Sequence, residues 1–236
     1  MKDLAIAFNH HGMSPVALEN LESFRVHNPD ADIYLSEFGA PDPVLQRLPF
    51  FSEITRSNDR AWRNSDLLLY NAFFSRTKEY KKWLAVEWDT RCAIPVAEFF
   101  SETWNFDAVS TAVATPSREP EWHWFHQINE MPESLRAHAC GMKPFAVSLF
   151  SQAALAAIVE RLFAEPFEVL SELRIGTLAH AVGALPVPNP RSAHTVSWRP
   201  LDPHPFRASI EHPVKHHWEA RDLRASAPER TNEARN

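Results

Sequence analysis

Glycine is scarce in this sequence, and its scarcity excludes several kinds of nucleotide-binding and hydrolytic site. Only 5 glycines occur among 236 residues, and none of them form the patterns GxGxxG or GxxxxGK[ST]. Dinucleotide-binding turns and P-loops need these glycines because the backbone must closely approach a phosphate. The GxSxG turn that presents the nucleophile of many serine hydrolases is missing as well.

Cysteines and long apolar runs are also few. Cys92 and Cys140 are too few for a disulfide framework and lack metal-ligand spacing, which predicts a reducing, cytoplasmic location. The apolar run in MKDLAIAFNHHG is too short for a signal peptide and predicts a strand. The most apolar long window, residues 145–163, contains polar residues and falls short of the ~20 apolar residues of a bilayer span. We therefore expect no membrane span.

Basic residues are not in excess. The formal net charge is −6 and the pI is about 6.1. Binding of nucleic-acid phosphates depends on clustered Lys and Arg, so we expect no nucleic-acid partner. The 44% hydrophobic content suits a single folded domain with a substantial core, which we place at residues 1–217. Residues 218–236 are too polar to fold alone and predict a C-terminal tail.

Strand-like and helix-like segments alternate along the chain. Residues 3–9 predict a strand, and Ser14 and Pro15 mark the N-cap and first position of the helix that follows. The remaining pattern predicts strands at 31–38, 81–89, 106–114 and 143–150, helices at 64–80, 93–104, 151–163 and 165–183, and a loop at 115–134. This order predicts an α/β domain with a mostly parallel central sheet flanked by helices.

The apolar strand KKWLAVEWD ends in two acids, Glu87 and Asp89. Side chains alternate faces along a strand, so the two carboxylates should project to the same side. Ligands of open α/β sheets bind outside the carboxyl ends of the strands, where a cation or a shared proton would relieve the repulsion between two acids. Oxygen ligands of this kind suit Mg²⁺ or Mn²⁺. Capping of the next helix and pairing with Arg91 remain open as simpler roles.

The stretch WLAVEWDTRCAIP resembles the strand-ending DxD motif of the nucleotide-diphospho-sugar transferases, the glycosyltransferases of the GT-A fold, in an ExD form. The resemblance spans about residues 3–217. It implies a single-domain GT-A-like catalytic domain that moves a sugar from a nucleotide-diphosphate donor to an acceptor hydroxyl, with Mn²⁺ or Mg²⁺ as cofactor.

The same resemblance implies which residues contact the donor. FNHHGMSP resembles the first nucleotide-contacting loop, which brings in Asn9 and His10. WRNSDLLLYNAFF resembles the segment that holds the base and ribose, which brings in Arg63 and Asp66.

Two later segments extend the resemblance to the metal and the acceptor. EHPVKHHW resembles the family's late histidine, which implies His212 as the second metal ligand beside Asp89, the principal one, and Lys215 as a phosphate contact. The resemblance leaves three roles open for Glu87: a direct metal ligand, a ligand through water, or a contact to the donor ribose. FEVLSELRIGT resembles the acidic element on the acceptor side, which implies Glu172 as general base, with Glu168 as the alternative acid.

The aromatic loop EWHWFHQ suggests a surface for sugar rings. Flat aromatic faces suit stacking on such rings, and we predict that Trp122 and Trp124 contact a carbohydrate acceptor. Phe125 is expected to anchor the loop to the core instead. A zinc site at His123 and His126 would need a further ligand that the nearby sequence lacks.

Two other functions remain open from the sequence. A metal-dependent phosphoester hydrolase could use Glu87, Asp89 and His212 with an activated water. A non-catalytic protein that binds carbohydrate or nucleotide-sugar could share the same fold. Release of phosphate without an acceptor would indicate the hydrolase. Ligand binding that survives replacement of Asp89 would indicate the binding protein.

Overall fold

The computed structural model describes residues 2–37, 39, 41–51, 62–198 and 208–215. Over these ranges the chain forms a mixed α/β structure around a six-stranded sheet. The predicted tail at 218–236 lies outside the described residues, so the predicted boundary near residue 217 stays a prediction.

The strands form one large sheet and two small ones. They are β1 (Lys2–Asn9), β2 (Asp32–Ser36), β3 (Tyr80–Glu87), β4 (Arg91–Cys92), β5 (Ala108–Ser110), β6 (Ala112–Ala114), β7 (Gly141–Lys143), β8 (Val147–Ser151), β9 (Pro186–Pro188) and β10 (Ile210–Glu211). The large sheet has the order β2-β1-β3-β8-β5-β9. Its strands are parallel except for β8, which runs antiparallel to both β3 and β5. The pairs β4–β10 and β6–β7 form the small antiparallel sheets.

Helices cover both faces of the large sheet. They are α1 (Pro15–His27), α2 (Asp66–Phe74), α3 (Val96–Phe99), α4 (Glu133–Arg136), α5 (Gln152–Ala164) and α6 (Ser171–Ala181). Short 3-10 helices occur at Leu45–Arg47, Trp62–Asn64, His123–Glu130 and Pro190–Ser192.

The start of α1 follows the sequence prediction. The side chain of Ser14 accepts a hydrogen bond from the N–H of Ala17 at 3.1 Å, and Pro15 opens the helix. This arrangement satisfies one of the N–H groups that the first helical turn leaves free. Ser151 caps α5 in the same way, through the N–H of Ala154 at 3.1 Å.

The helix predicted over 93–104 was too long, because only α3 is helical there. Phe99 and Phe100, at the end of α3, are both buried in the core beneath α1. The chain turns instead, and the N–H of Thr103 bonds to the carbonyl of Phe100 at 2.8 Å. The loop predicted over 115–134 contains the 3-10 helix His123–Glu130.

Alternation along β3 divides the interior into two cores. Trp83 and Ala85 lie in the core beneath α2, α5 and α6, whereas Leu84 and Val86 lie in the core beneath α1 and α3. This is the two-residue period of a strand whose faces are both covered. Glu87, two residues after Ala85, lies on the same face of the sheet as Ala85, which is the face covered by α6, and it is the last residue of β3.

A glycine determines how closely α6 approaches the sheet region. A Cβ at Gly176 would lie 2.3 Å from the carbonyl oxygen of Cys140, so only glycine permits this contact. The close approach fixes α6 against β7 and thereby places Glu172, in the first turn of α6, next to the start of β8.

Candidate functional site

Three side chains from distant parts of the chain converge at one place. Glu87, Asp89 and His212 each offer a ligand atom, and these atoms all lie within 4.8 Å of one another. Nε2 of His212 is 3.2 Å from Oδ1 of Asp89 and 3.5 Å from Oε2 of Glu87. Among the described residues, this is the group of three potential metal-binding side chains that comes together. We refer to these three residues as the triad.

The convergence of the two acids has a different cause from the one predicted. β3 ends at Glu87, and the N–H of Thr90 bonds to the carbonyl of Glu87 at 2.9 Å to form a turn. Asp89 therefore lies in a turn after the strand, so strand alternation does not orient it. The turn brings Asp89 back toward Glu87, and the N–H of Val214 holds the Asp89 carbonyl at 2.6 Å.

His212 is placed by contacts distant in sequence. β10 pairs with β4, with Ile210 opposite Cys92, and brings the chain alongside the end of β3. The His212 N–H bonds to the carbonyl of Thr195 at 2.8 Å, and its Nδ1 lies 2.8 Å from the carbonyl of Ser197. Nδ1 therefore carries a proton that it donates to Ser197, which leaves Nε2 facing the acids, as in many metal sites.

The electrostatics of the triad suit a cation. Burial alone would lower the pKa of His212, but interactions with Asp89 and Glu87 outweigh it and raise the pKa to about 9. Oδ1 of Asp89 is buried and lacks a well-formed hydrogen bond. Two carboxylates and one imidazole within reach of one another fit a divalent ion that replaces the Nε2 proton.

The predicted donor contacts Asn9, His10 and Lys215 lie around the triad. Asn9 ends β1 and pairs in register with Glu87, and its buried Oδ1 has no hydrogen-bond partner. His10 follows on the same rim, with Nδ1 3.9 Å from a carboxylate oxygen of Glu37. Nζ of Lys215 is exposed and lies 3.8 Å from Oδ2 of Asp89. Their contacts with a donor remain predictions.

Asp66 and Arg63, predicted to hold the base and ribose, have different surroundings. Asp66 is fully buried, and both of its carboxylate oxygens accept hydrogen bonds from Arg174 in α6. The side-chain oxygen of Asn64 also accepts a hydrogen bond from Arg174, at 2.9 Å. The Arg63 guanidinium lies 5.8 Å from the ring centre of Trp124. Asp66 thus has a structural partner, and a donor contact by either residue remains a prediction.

Glu172 lies close to the triad but is sealed from solvent. Its Oε1 accepts a hydrogen bond from the N–H of Phe145 at 2.7 Å, and Oε2 is buried without a partner. Burial is the main influence and raises the pKa of Glu172 well above 4.5, although the Phe145 hydrogen bond opposes this. The carbonyl oxygen of Ala146, the residue after Phe145, accepts a hydrogen bond from the Glu87 N–H at 3.3 Å. The predicted role as general base would require this carboxyl to ionise, and it remains a prediction.

Trp122, Trp124 and Phe125 of the aromatic loop are all half-buried, and all three pack against the core. Trp122 packs so closely on Gly141 that a Cβ there would lie 2.3 Å from its ring. Phe125, 4.9 Å from Trp122, packs against the core, as expected. Trp124 contacts Trp62, which the sequence analysis did not include. Trp62 precedes Arg63 in a polar segment, and no sequence pattern linked it to residue 124.

Comparisons with known proteins give limited information. No protein-family model matches the sequence, and no curated protein matches it significantly. Among solved structures, a glycosyltransferase involved in the glycosylation of the major capsid of PBCV-1 matches with a TM-score of 0.34 and 14% identity. The match covers 69% of this chain and 65% of that one, so this chain spans less than two thirds of that protein's length. Across the described residues, no helix is both long and apolar enough to cross a bilayer.

Proposed function

We propose that this protein is a metal-dependent glycosyltransferase with a GT-A-like domain that uses a nucleotide-diphospho-sugar donor. The observation that carries the proposal is the convergence of Glu87, Asp89 and His212 beside the carboxyl ends of the parallel strands β1 and β3. Open α/β sheets bind their ligands at this edge. Two acids and a histidine within 4.8 Å suit a divalent ion.

In this proposal the triad holds Mn²⁺ or Mg²⁺, with Asp89 as the most firmly positioned ligand. Asp89 is fixed through its backbone to Val214, and His212 through Nδ1 to Ser197. A bound ion would neutralise charge on the departing nucleoside diphosphate.

The surrounding residues have distinct parts in donor binding. Lys215 is exposed beside Asp89 and can move its ammonium group toward a phosphate. Asn9, next to Glu87 on the rim, has an unpaired side-chain oxygen that can accept a hydrogen bond from a donor hydroxyl. Binding of the donor would therefore satisfy polar groups that the protein alone leaves unpaired.

The test is a thermal-shift panel with UDP-, GDP- and CDP-sugars, each with and without Mn²⁺. We expect a rise in melting temperature that requires both the nucleotide-sugar and the metal, because only together do they complete the ion's coordination. The responding nucleotide identifies the donor. Stabilisation by nucleotide alone, equal in the presence of a chelator, would contradict the proposal. A parallel assay for phosphate release without acceptor separates this function from that of a phosphoester hydrolase.

A further inference from the structure

Two tryptophans and one arginine from distant parts of the chain form a cluster outside the triad. The rings of Trp62 and Trp124 are 5.8 Å apart at 61°, and the Arg63 guanidinium is 5.8 Å from the Trp124 ring centre. Trp62 is 49% exposed, and Trp124 is half-buried. We call Trp62, Arg63 and Trp124 the aromatic platform. A large exposed aromatic surface beside a site is a common feature of ligand recognition.

The backbone connects this platform to the rim of the sheet. Ser65, two residues after Arg63, accepts a hydrogen bond through its carbonyl from the Asn9 side chain at 3.3 Å. Asn9 is in turn the register partner of Glu87. The side chain of Ser65 also lies 3.2 Å from that of Ser171, at the start of α6. The backbone that follows Trp62 and Arg63 is therefore bonded at Ser65 to the end of β1 and to the start of α6.

The charge of Arg63 indicates the kind of ligand. No carboxylate in the described part of the chain forms an ion pair with Arg63, whereas Lys143, beside Trp122, is paired with Glu119. A guanidinium held against an aromatic face keeps its fork of N–H donors for a planar anionic group. Carboxylate and phosphate both match this fork.

We propose that the aromatic platform binds a sugar ring that carries an anionic substituent, and that this ring belongs to the acceptor. The second half of this statement rests on the proposed transferase function. The apolar face of a pyranose packs on Trp124 and Trp62, and Arg63 binds the anionic substituent. Trp122 packs on Gly141, and the stacking on the acceptor that was predicted for it remains a prediction.

The experiment is calorimetric titration of the metal-free protein with glucuronate, glucose 6-phosphate and glucose. We expect the anionic sugars to bind at least about tenfold more tightly than glucose, since a charge-assisted hydrogen bond contributes that much. Comparison of glucuronate with glucose 6-phosphate then identifies the substituent. Arg63→Gln should remove the preference and leave glucose binding unchanged, and Trp124→Ala should weaken all three. Trp104→Ala, in a groove at the opposite edge of the sheet, is the matched control and should change nothing.

Several results would overturn the proposal. They are equal binding of glucose and the anionic sugars, no binding of any of them, or a normal preference in Arg63→Gln. Weaker UDP binding in Arg63→Gln with unchanged glucuronate binding would place Arg63 in the donor site instead. UDP is titrated separately, and the sugar titrations contain neither metal nor nucleotide, so they are independent of the thermal-shift panel. If the sugars bind in this titration but no nucleotide-sugar binds in the thermal-shift panel, the sugar site is supported and the transferase function is rejected.

Discussion

Nε2 of His212 lies 3.2 Å from Oδ1 of Asp89, although more than a hundred residues separate the two in the sequence. Both side chains are buried, and Glu87 completes the triad at 3.5 Å. Without a metal, a protonated His212 balances the acids, so the site is organised before an ion arrives. A site of this kind binds an ion with little rearrangement, because its ligands are already held in place.

Asp89→Asn should remove most of the metal affinity. The substitution preserves size but takes away the charge of the best-positioned ligand. Even residues that only support metal ligands change affinity by about 10- to 100-fold, so we expect a loss of at least this size for Mn²⁺. Calorimetric titration with Mn²⁺ measures the loss, and metal-dependent nucleotide binding should disappear with it. Asp30→Asn, which changes an exposed residue before β2, is the control and should bind Mn²⁺ normally. An unchanged affinity in Asp89→Asn would show that the triad is not the metal site.

Glu172→Gln should make the protein more stable at neutral pH. The folded-state pKa of Glu172 lies well above 4.5, mainly because of burial. The stability associated with its protonated form is fully present below pH 4.5 and is lost as the pH rises toward the folded-state pKa. In that range wild type loses about 1.4 kcal/mol per pH unit relative to the glutamine variant. Urea unfolding at several pH values measures the difference, and parallel stability curves would contradict the expectation.

Glu172→Gln also tests whether Glu172 is a general base or a buried structural residue. A glutamine cannot accept a proton, so loss of a general base would lower kcat by about 100-fold or more. We expect Glu172→Gln to keep kcat within about tenfold of wild type, because a buried, protonated carboxyl is not a base. The Phe145 N–H can still donate to the glutamine side-chain oxygen, so the local structure should persist. A hundredfold loss would instead establish Glu172 as the base predicted from the sequence.

Local patterns in the sequence predicted more of this molecule than did its long-range contacts. Ser14 and Pro15 mark a helix start by short-range hydrogen bonding, and the structure confirms it. Glu87 was placed correctly at a strand end because β3 is a continuous apolar run. The pairing of β4 with β10 brings His212 to Asp89, and no local pattern encodes that pairing. For this reason only a family resemblance suggested His212, and nothing suggested the contact between Trp62 and Trp124.

Arg174 lies in the segment FEVLSELRIGT, where the sequence predicted no role for it, yet it makes the most buried ion pair in the described chain. Its guanidinium and the Asp66 carboxylate both have no exposed side-chain surface, and the pair joins α2 to α6. From the sequence alone an arginine such as Arg174 is expected to be exposed to solvent, because its partner Asp66 is distant along the chain. Both Asp66 oxygens accept hydrogen bonds from Arg174, and the ribose contact predicted for Asp66 remains a prediction.

Arg174→Met should destabilise the protein strongly, because it leaves the Asp66 carboxylate buried without a counter-charge. Removal of one partner of a buried ion pair typically costs about 3–5 kcal/mol. Adding Asp66→Asn should restore a large part of this loss, since the unpaired charge is then gone. Urea unfolding of both single variants and the double variant completes the cycle. Additive losses would contradict a direct Arg174–Asp66 coupling. Because α6 carries Glu172, Arg174→Met should also make the first turn of α6 exchange its amide protons faster, whereas exchange in α1, on the opposite face of the sheet, should change little.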